Sequence, residues 1–257
     1  MKILALNATY RPEQSTTQLA RKALEGAARA GAQTEMILLR DRKIQYCTNC
    51  LRCYDTPAPE IGPCAQADDM DEILARIRDA DGIIFASPVH NGFVTGLMTV
   101  FFERLAWRVL RPRGSFLGAA GMESRLTSKV RAVASIASPG SMPQRLRRHC
   151  DDGTVWLRGN APFMLHAQWI GDLYAGAVLK ERPRSEHDWQ RIYHLRRVAP
   201  GQLQEAFDLG EKMAEAIGRG GLKPVTLDTL MSPPVRFVAE LIARFGPAYP
   251  TEPPSAD

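Results

Sequence analysis

Four of the chain's five cysteines fall within eighteen positions, in the stretch CTNCLRCYDTPAPEIGPC from Cys47 to Cys64. Thiolates are soft metal ligands and redox-active nucleophiles. Four of them this close could form disulfides, hold a zinc ion, carry an iron-sulfur cluster or simply pack. Cys47, Cys50 and Cys53 follow C-x2-C-x2-C, a spacing that wraps three thiolates around one face of a cubane, as in bacterial ferredoxins. Cys64, after ten intervening residues, would be the fourth ligand. Zinc sites more often pair two C-x2-C knuckles across a longer stretch, and the second knuckle is missing. The spacing favours a 4Fe-4S cluster, with a zinc clip or unliganded thiols as the alternatives. Cys150, in RRHCDD, has no partner pattern and reads as an ordinary thiol.

Three further stretches have residue types suited to binding. NATYRPEQSTTQ, residues 7–18, offers hydroxyls at Thr9, Ser15, Thr16 and Thr17 and a cation at Arg11. If a helix follows, its free amides add to a phosphate site; the competing reading is that Ser15 or Thr16 merely caps that helix. SPVHNGFVTGLMTVFFER, residues 87–104, opens with Pro88, which stops strand pairing, while Gly92 and Gly96 let backbone approach a flat ligand. SPGSMPQ, residues 138–144, is the third. No Ser/His/Asp or Cys/His arrangement is evident, and no acid or base is singled out.

The elements that must position these stretches alternate. KILALN (2–7), TEMILL (34–39), GIIFAS (82–87), KVRAVASIA (129–137) and PFMLHAQWI (162–170) read as strands. STTQLARKALEGAARAG, with Leu19, Ala23, Leu24 and Ala27 on one face and Gly31 to end it, reads as a helix, as do 68–80, 96–110 and 201–220. Five strands with helical crossovers predict a doubly wound α/β domain, a parallel sheet covered on both faces. Ligands of such sheets bind at the carboxyl ends of the strands, so the loops after strands one, two and three are expected at one edge, with cluster and phosphate site together.

Two of these loops carry a resemblance. Residues 87–104 resemble the S-P-V-Y-x-G-x-V-S-G-x-L-K-x-F-x-D-R segment of NAD(P)H-dependent FMN reductases and flavodoxin-like oxidoreductases, and NATYRPEQST resembles their N-G-S-x-R-x-x-x-N-T phosphate loop. The resemblance covers most of residues 1–140. Within that group the cysteines after strand two look like those of the iron-sulfur flavoproteins, which carry FMN and a 4Fe-4S cluster. It implies a flavodoxin-like fold with the FMN phosphate on Thr9, Arg11, Ser15 and Thr16, Thr17 beside them. The flavin ring is then expected against Pro88, Val89, His90, Asn91 and Gly92, and against Ser138, Pro139, Gly140 and Ser141. Ala8, Ser15 and His90 stand where glycine, asparagine and tyrosine are usual.

The expectation is an FMN-dependent oxidoreductase passing electrons between a 4Fe-4S cluster and FMN, with NAD(P)H as candidate reductant and a small-molecule or protein electron partner. The alternatives are a cluster-free NAD(P)H-dependent FMN or quinone reductase with structural zinc, and a non-catalytic flavodoxin-like electron carrier. The resemblance also implies a homo-oligomer, a dimer or tetramer.

Composition limits the other classes. At 257 residues with 45% apolar and 24% charged side chains, the chain suits one domain with extensions, expected over 1–220 and 221–257. No apolar run approaches the roughly 20 residues of a membrane span, and MKILALNATY lacks the features of a signal peptide. A cytoplasmic protein is expected, where clustered cysteines favour metal or redox chemistry over disulfides. The net charge of +5 sits in arginine-rich patches such as RLAWRVLRPRG and RIYHLRR. With acidic residues dispersed and no groove-reading motif, these predict no nucleic-acid partner. Residues 171–200, with Tyr174, Trp189 and Tyr193, read as an excursion packed on the sheet rather than a cover for the site. An amphipathic helix is expected over 235–245, then a disordered proline-rich tail.

Overall fold

Strands without a polar face must be covered on both sides, and three of the strands here are buried along nearly their whole length. The computed structural model describes residues 1–230 apart from 55, 58, 59, 117, 118 and 141, and beyond these only 234, 235, 237, 238 and 241. Its first half runs β1 (Lys2–Asn7), α1 (Ser15–Arg29), β2 (Gln33–Leu38), α2 (Met70–Asp79), β3 (Gly82–Pro88) and α3 (Gly96–Val109). A hairpin follows, β4 (Leu110–Phe116) and β5 (Ala119–Ser124), then β6 (Arg131–Ser138), α4 (Asp152–Met164) and β7 (Ala167–Tyr174). The chain continues through β8 (Val178–Leu179), α5 (Glu186–Gln190), β9 (Arg196–Arg197), α6 (Pro200–Arg219) and α7 (Leu227–Leu230).

The main sheet has the order β2-β1-β3-β6-β7, all parallel. This is the flavodoxin-like winding, whose strand order reverses between β1 and β3. One face packs Leu4, Leu6, Ile83, Phe85 and Val133 under α2, α3 and α4. The other packs Ile3, Ala5, Ile84, Ala132 and Ala134 under α1 and α6. These two helices cross at glycines: a Cβ on Gly26 would fall on the Phe207 carbonyl, and one on Gly210 on the Ala23 carbonyl. Among the described residues no helix is long and apolar enough to cross a membrane.

Two parts differ from the sequence reading. The fifth strand is 167–174 rather than 162–170, because Pro162 to Met164 end α4. That helix is started by Asp151, whose carboxylate accepts from the Thr154 amide at 3.0 Å. His166, at φ +50°, separates helix from strand. A continuous apolar run cannot by itself distinguish a helix end from a buried strand. The antiparallel pair β4–β5, rich in Arg, Gly and Pro, gave no periodic signal. The helix expected over 235–245 and the tail lie mostly outside the described residues.

Candidate functional site

The loop between β1 and α1 is held from three sides. The Asn7 carboxamide, fully buried, accepts from the Thr9 amide at 3.1 Å and donates to Thr17 Oγ1 at 2.8 Å. Thr95 Oγ1 donates to the Ala8 carbonyl at 2.8 Å, and the Thr95 amide donates to Ser87 Oγ at 3.1 Å, so the loops after β1 and β3 are latched together. The β6 end joins them through a 2.6 Å contact between the hydroxyls of Thr16 and Ser138. Arg40, just past β2, donates to the Tyr10 carbonyl.

These loops surround one cavity, open to solvent, with about 880 Å³ of empty space. From the first loop come Thr9, Arg11, Ser15 and Thr16; from the second Pro88, Val89 and His90; from the third Ser138, Pro139 and Gly140. Ser141 lies outside the described residues. Neither Ser15 nor Thr16 caps α1: the N-cap is Gln14 and makes no side-chain cap bond, so the first-turn amides have no side-chain acceptor. An uncapped helix start beside Arg11, in a cavity with no described acidic lining residue, is a ready anion site.

Three expected residues serve elsewhere. Thr17 is buried against Asn7. Asn91 and Gly92, at φ +51° and +77°, form the two-residue turn in which His90 and Phe93 exchange backbone hydrogen bonds of 2.9 and 3.0 Å. They shape the loop without lining the cavity. Four further residues line the cavity, Tyr10, Gln14, Tyr193 and Arg196; of these only Tyr193 is singled out by the sequence, as part of a segment read as packing on the sheet. The Tyr10 ring stacks on His90 with centroids 5.8 Å apart and planes 15° from parallel. Tyr193 lies under the Arg11 guanidinium, 5.6 Å from its carbon to the ring centroid. Residues 171–200 therefore do more than pack on the sheet, because part of this segment walls the cavity. Tyr174 is buried at the end of β7, where its hydroxyl meets Cys150 Sγ at 3.2 Å, and Trp189 is exposed.

The four clustered cysteines line a second, smaller cavity, with Gln66, Arg104, Trp107 and Arg108. None forms a disulfide. Asn49 and Leu51 take positive φ, 49° and 56°, folding the C-x2-C-x2-C loop back on itself. The Asn49 amide donates to Cys47 Sγ, and the Gln66 amide to Cys64 Sγ, each at 3.4 Å. Arg104, only 2% exposed, donates to Asp68 at 2.7 Å, to the Gln45 carbonyl at 2.7 Å and to Cys64 Sγ at 3.4 Å. Burial works to raise the Asp68 carboxyl, but its hydrogen bonds from Arg104 and from the Gln45 and Met70 amides hold it below the usual carboxylate range. Arg108 donates to the Gly62 carbonyl and to Asp71, and its buried Nη1 has no partner among the described residues. Arg125 donates to the carbonyls of Cys53 at 3.0 Å and Thr56 at 2.8 Å. Burial pushes the Cys53 thiol up, while the Arg52 amide and neighbouring donors draw the exposed Cys50 thiol down.

The two cavities share no lining residue among those described. α3 connects them. Gly96 at its start faces the Tyr10 hydroxyl, and Arg104, about 12 Å further along the axis, reaches the cysteines. The cysteine cavity is lined by Arg104, Trp107 and Arg108 of α3 and by none of the β1-loop residues, so the cysteines and the loop expected to hold phosphate, which the sequence placed together, line separate cavities. Among the described residues no group of three or more His, Cys, Asp or Glu side chains is placed to hold a metal ion.

Residues 1–158 match the profile of NADPH-dependent FMN reductases. The chain belongs to this family. Within curated proteins, an iron-sulfur flavoprotein of Methanocaldococcus jannaschii is 39% identical over 104 residues, 40% of this chain and 51% of that one. The iron-sulfur flavoprotein of Methanosarcina thermophila is 33% identical over 40% of this chain and 52% of its own. The alignments thus span about half the length of these relatives. Among solved structures, the NAD(P)H:quinone oxidoreductase of Methanothermobacter marburgensis superposes with a TM-score of 0.56 at 16% identity, covering 82% of this chain and 98% of that one. An FMN-dependent NADH-azoreductase of Bacillus anthracis gives 0.55 at 15%, covering 83% and 97%. These two likenesses establish the fold. Tyr193 and Arg196 lie beyond the segment that matches the FMN reductase profile, and no motif marked them; only the fold brings them to the cavity.

Proposed function

We propose that this protein is an FMN-dependent oxidoreductase in which the first cavity holds FMN and Cys47, Cys50, Cys53 and Cys64 hold a 4Fe-4S cluster that exchanges electrons with it. The observation that supports the flavin site most strongly is the single cavity uniting the loops after β1, β3 and β6 at the uncapped start of α1. The cysteine cavity suits an anionic group. It gathers four free thiols, two of them accepting backbone N–H groups, and the unpartnered Arg108 Nη1 lies among its lining residues. A buried guanidinium nitrogen left without an acceptor costs free energy that an anion would recover.

Bound FMN would accept two electrons as hydride and release them singly, and a cluster would carry one at a time. The chain's own contribution is binding and orientation. Arg11 and the Ser15 and Thr16 amides would fix the phosphate. Pro88, Val89 and His90 would limit the ring from one side, with the His90–Tyr10 stack stiffening that wall. Arg104 through Cys64, Arg108 through the Gly62 carbonyl and Arg125 through the Cys53 carbonyl fasten the cysteine loop to α3 and to the segment after β5. NADPH is the reductant the family description suggests. We further propose that the protein works as a homo-oligomer with a small-molecule or protein electron partner.

The test is flavin titration of wild type and the Arg11→Ala, Thr16→Ala double variant, with circular dichroism as the control for folding. The double variant is expected to bind FMN at least tenfold more weakly, through the lost Arg11 guanidinium and Thr16 hydroxyl, with an unchanged spectrum. Equal affinities would remove this cavity from the function. NADPH turnover with artificial electron acceptors then separates an enzyme from a passive carrier, which would show none.

A further inference from the structure

The segment after β7 folds back over the loop that ends β6. The Ala177 amide donates to the Gly140 carbonyl, and a Cβ on Gly176 would strike the Met142 carbonyl. β8 and β9 then pair Val178 with Arg197 and Leu179 with Arg196, forming a short strap. The strap brings Tyr193 and Arg196 to the same cavity that Arg11 enters from the β1 loop. Arg196 lies against Gly140, where any side chain would collide with its guanidinium.

Two guanidiniums in one cavity repel unless an anion lies between them. No described residue lining the cavity is acidic. Burial, and then the charge of Arg11, draw the Arg196 guanidinium below its ordinary value. Arg11 is steadied on the Tyr193 ring, itself part of the strap segment. The arrangement is costly when empty and favourable around a dianion. A phosphate monoester at the start of α1 is such a dianion, and planar guanidiniums recognise phosphate oxygens in pairs.

Resting on the reading of this cavity as an FMN site, we infer that Arg196 is a phosphate ligand. With Arg11 it forms a two-arginine clamp on the phosphate of the bound mononucleotide, closed by the strap after β7.

The test compares FMN with riboflavin, which lacks the phosphate, on full-length protein freed of flavin. Arg196→Gln is expected to weaken FMN binding by about tenfold to a hundredfold and to leave riboflavin affinity unchanged. Arg196→Lys, which keeps the charge but loses the fork, should fall between, and serves if the glutamine variant does not fold. FMN affinity should also lose part of its salt dependence in Arg196→Gln. An unchanged FMN-to-riboflavin ratio in both variants overturns the clamp. So does a variant whose FMN affinity is intact while its KM for NADPH rises, since the guanidinium would then serve the dinucleotide. If the wild type itself does not prefer FMN over riboflavin, the cavity's assignment to FMN fails instead, and the two failures are told apart.

Discussion

Arginine does much of the internal wiring of this protein. Arg104, Arg108, Arg125 and Arg131 are all at least 96% buried, and each donates to backbone carbonyls. Arg131 is the extreme case. It lies under the C-terminal ends of α2 and α4 and donates to the carbonyls of Ile77, Arg78 and Leu165 and to the Leu126 carbonyl of the preceding loop. Burial draws its pKa down to about 10, and the negative ends of two helices help to keep it charged. Arg131→Met should therefore destabilise the fold by at least about 2 kcal/mol, since each buried carbonyl left unpaired costs about 1–3 kcal/mol. Urea unfolding checks this, and an unchanged midpoint would mean that water replaces the guanidinium. The cysteines make the complementary prediction. If the cysteines hold a cluster and the other cavity FMN, as proposed, Cys50→Ala should lose iron and sulfide while retaining FMN, because the two cavities share no described lining residue. Flavin and metal assays on the purified variant would show whether both are lost together, which would contradict independent sites.

At the scale of elements, α1 and α6 cross at close range over the C-terminal half of α1, where Gly26 and Gly210 let the two backbones meet. With Gly210 against the Ala23 carbonyl, Gly210→Ala cannot be absorbed without moving α6. Such overpacking costs about 1–3 kcal/mol, a Tm lower by several degrees in a domain of this size. Differential scanning calorimetry measures it, and a Tm equal to wild type would show that the helices slide apart freely. The sheet's alternation, the hydroxyl-rich loop after β1 and the cysteine spacing were legible from sequence because each is local, whereas the missing cap on α1 was not, since Ser15 and Thr16 are both residues that could have capped it. The course of the chain after β6 was not. PFMLHAQWI carries a helix end and a strand start with no turn residue between them except His166, which reaches positive φ without being glycine. Arg196 joins Arg11 only through the folded sheet, so its role had no sequence signature. The arginine-rich stretch RLAWRVLRPRG carried no sign of its direction in the sequence, and the fold turns its Arg104 and Arg108 inward to the cysteine loop.

The whole molecule places two cavities at separate points along α3 and leaves apolar side chains uncovered. Val155 on α4 is 71% exposed, and Val235, Phe237, Val238 and Leu241 are each at least 40% exposed near the end of the chain. Burying such surface between copies of the chain would contribute about 25 cal/mol per Å², and closed symmetric dimers are the commonest outcome. Light scattering at micromolar concentration is expected to give a mass above that of one chain, whereas a monomer would contradict the proposed assembly. The central claim is the pairing of flavin with cluster in one chain. Its most direct measurement is quantitative analysis of flavin, iron, acid-labile sulfide and zinc in protein purified without oxygen. The account predicts one FMN, four irons and four sulfides per chain and no zinc. Stoichiometric zinc without sulfide would make the four cysteines a structural clip and would contradict it.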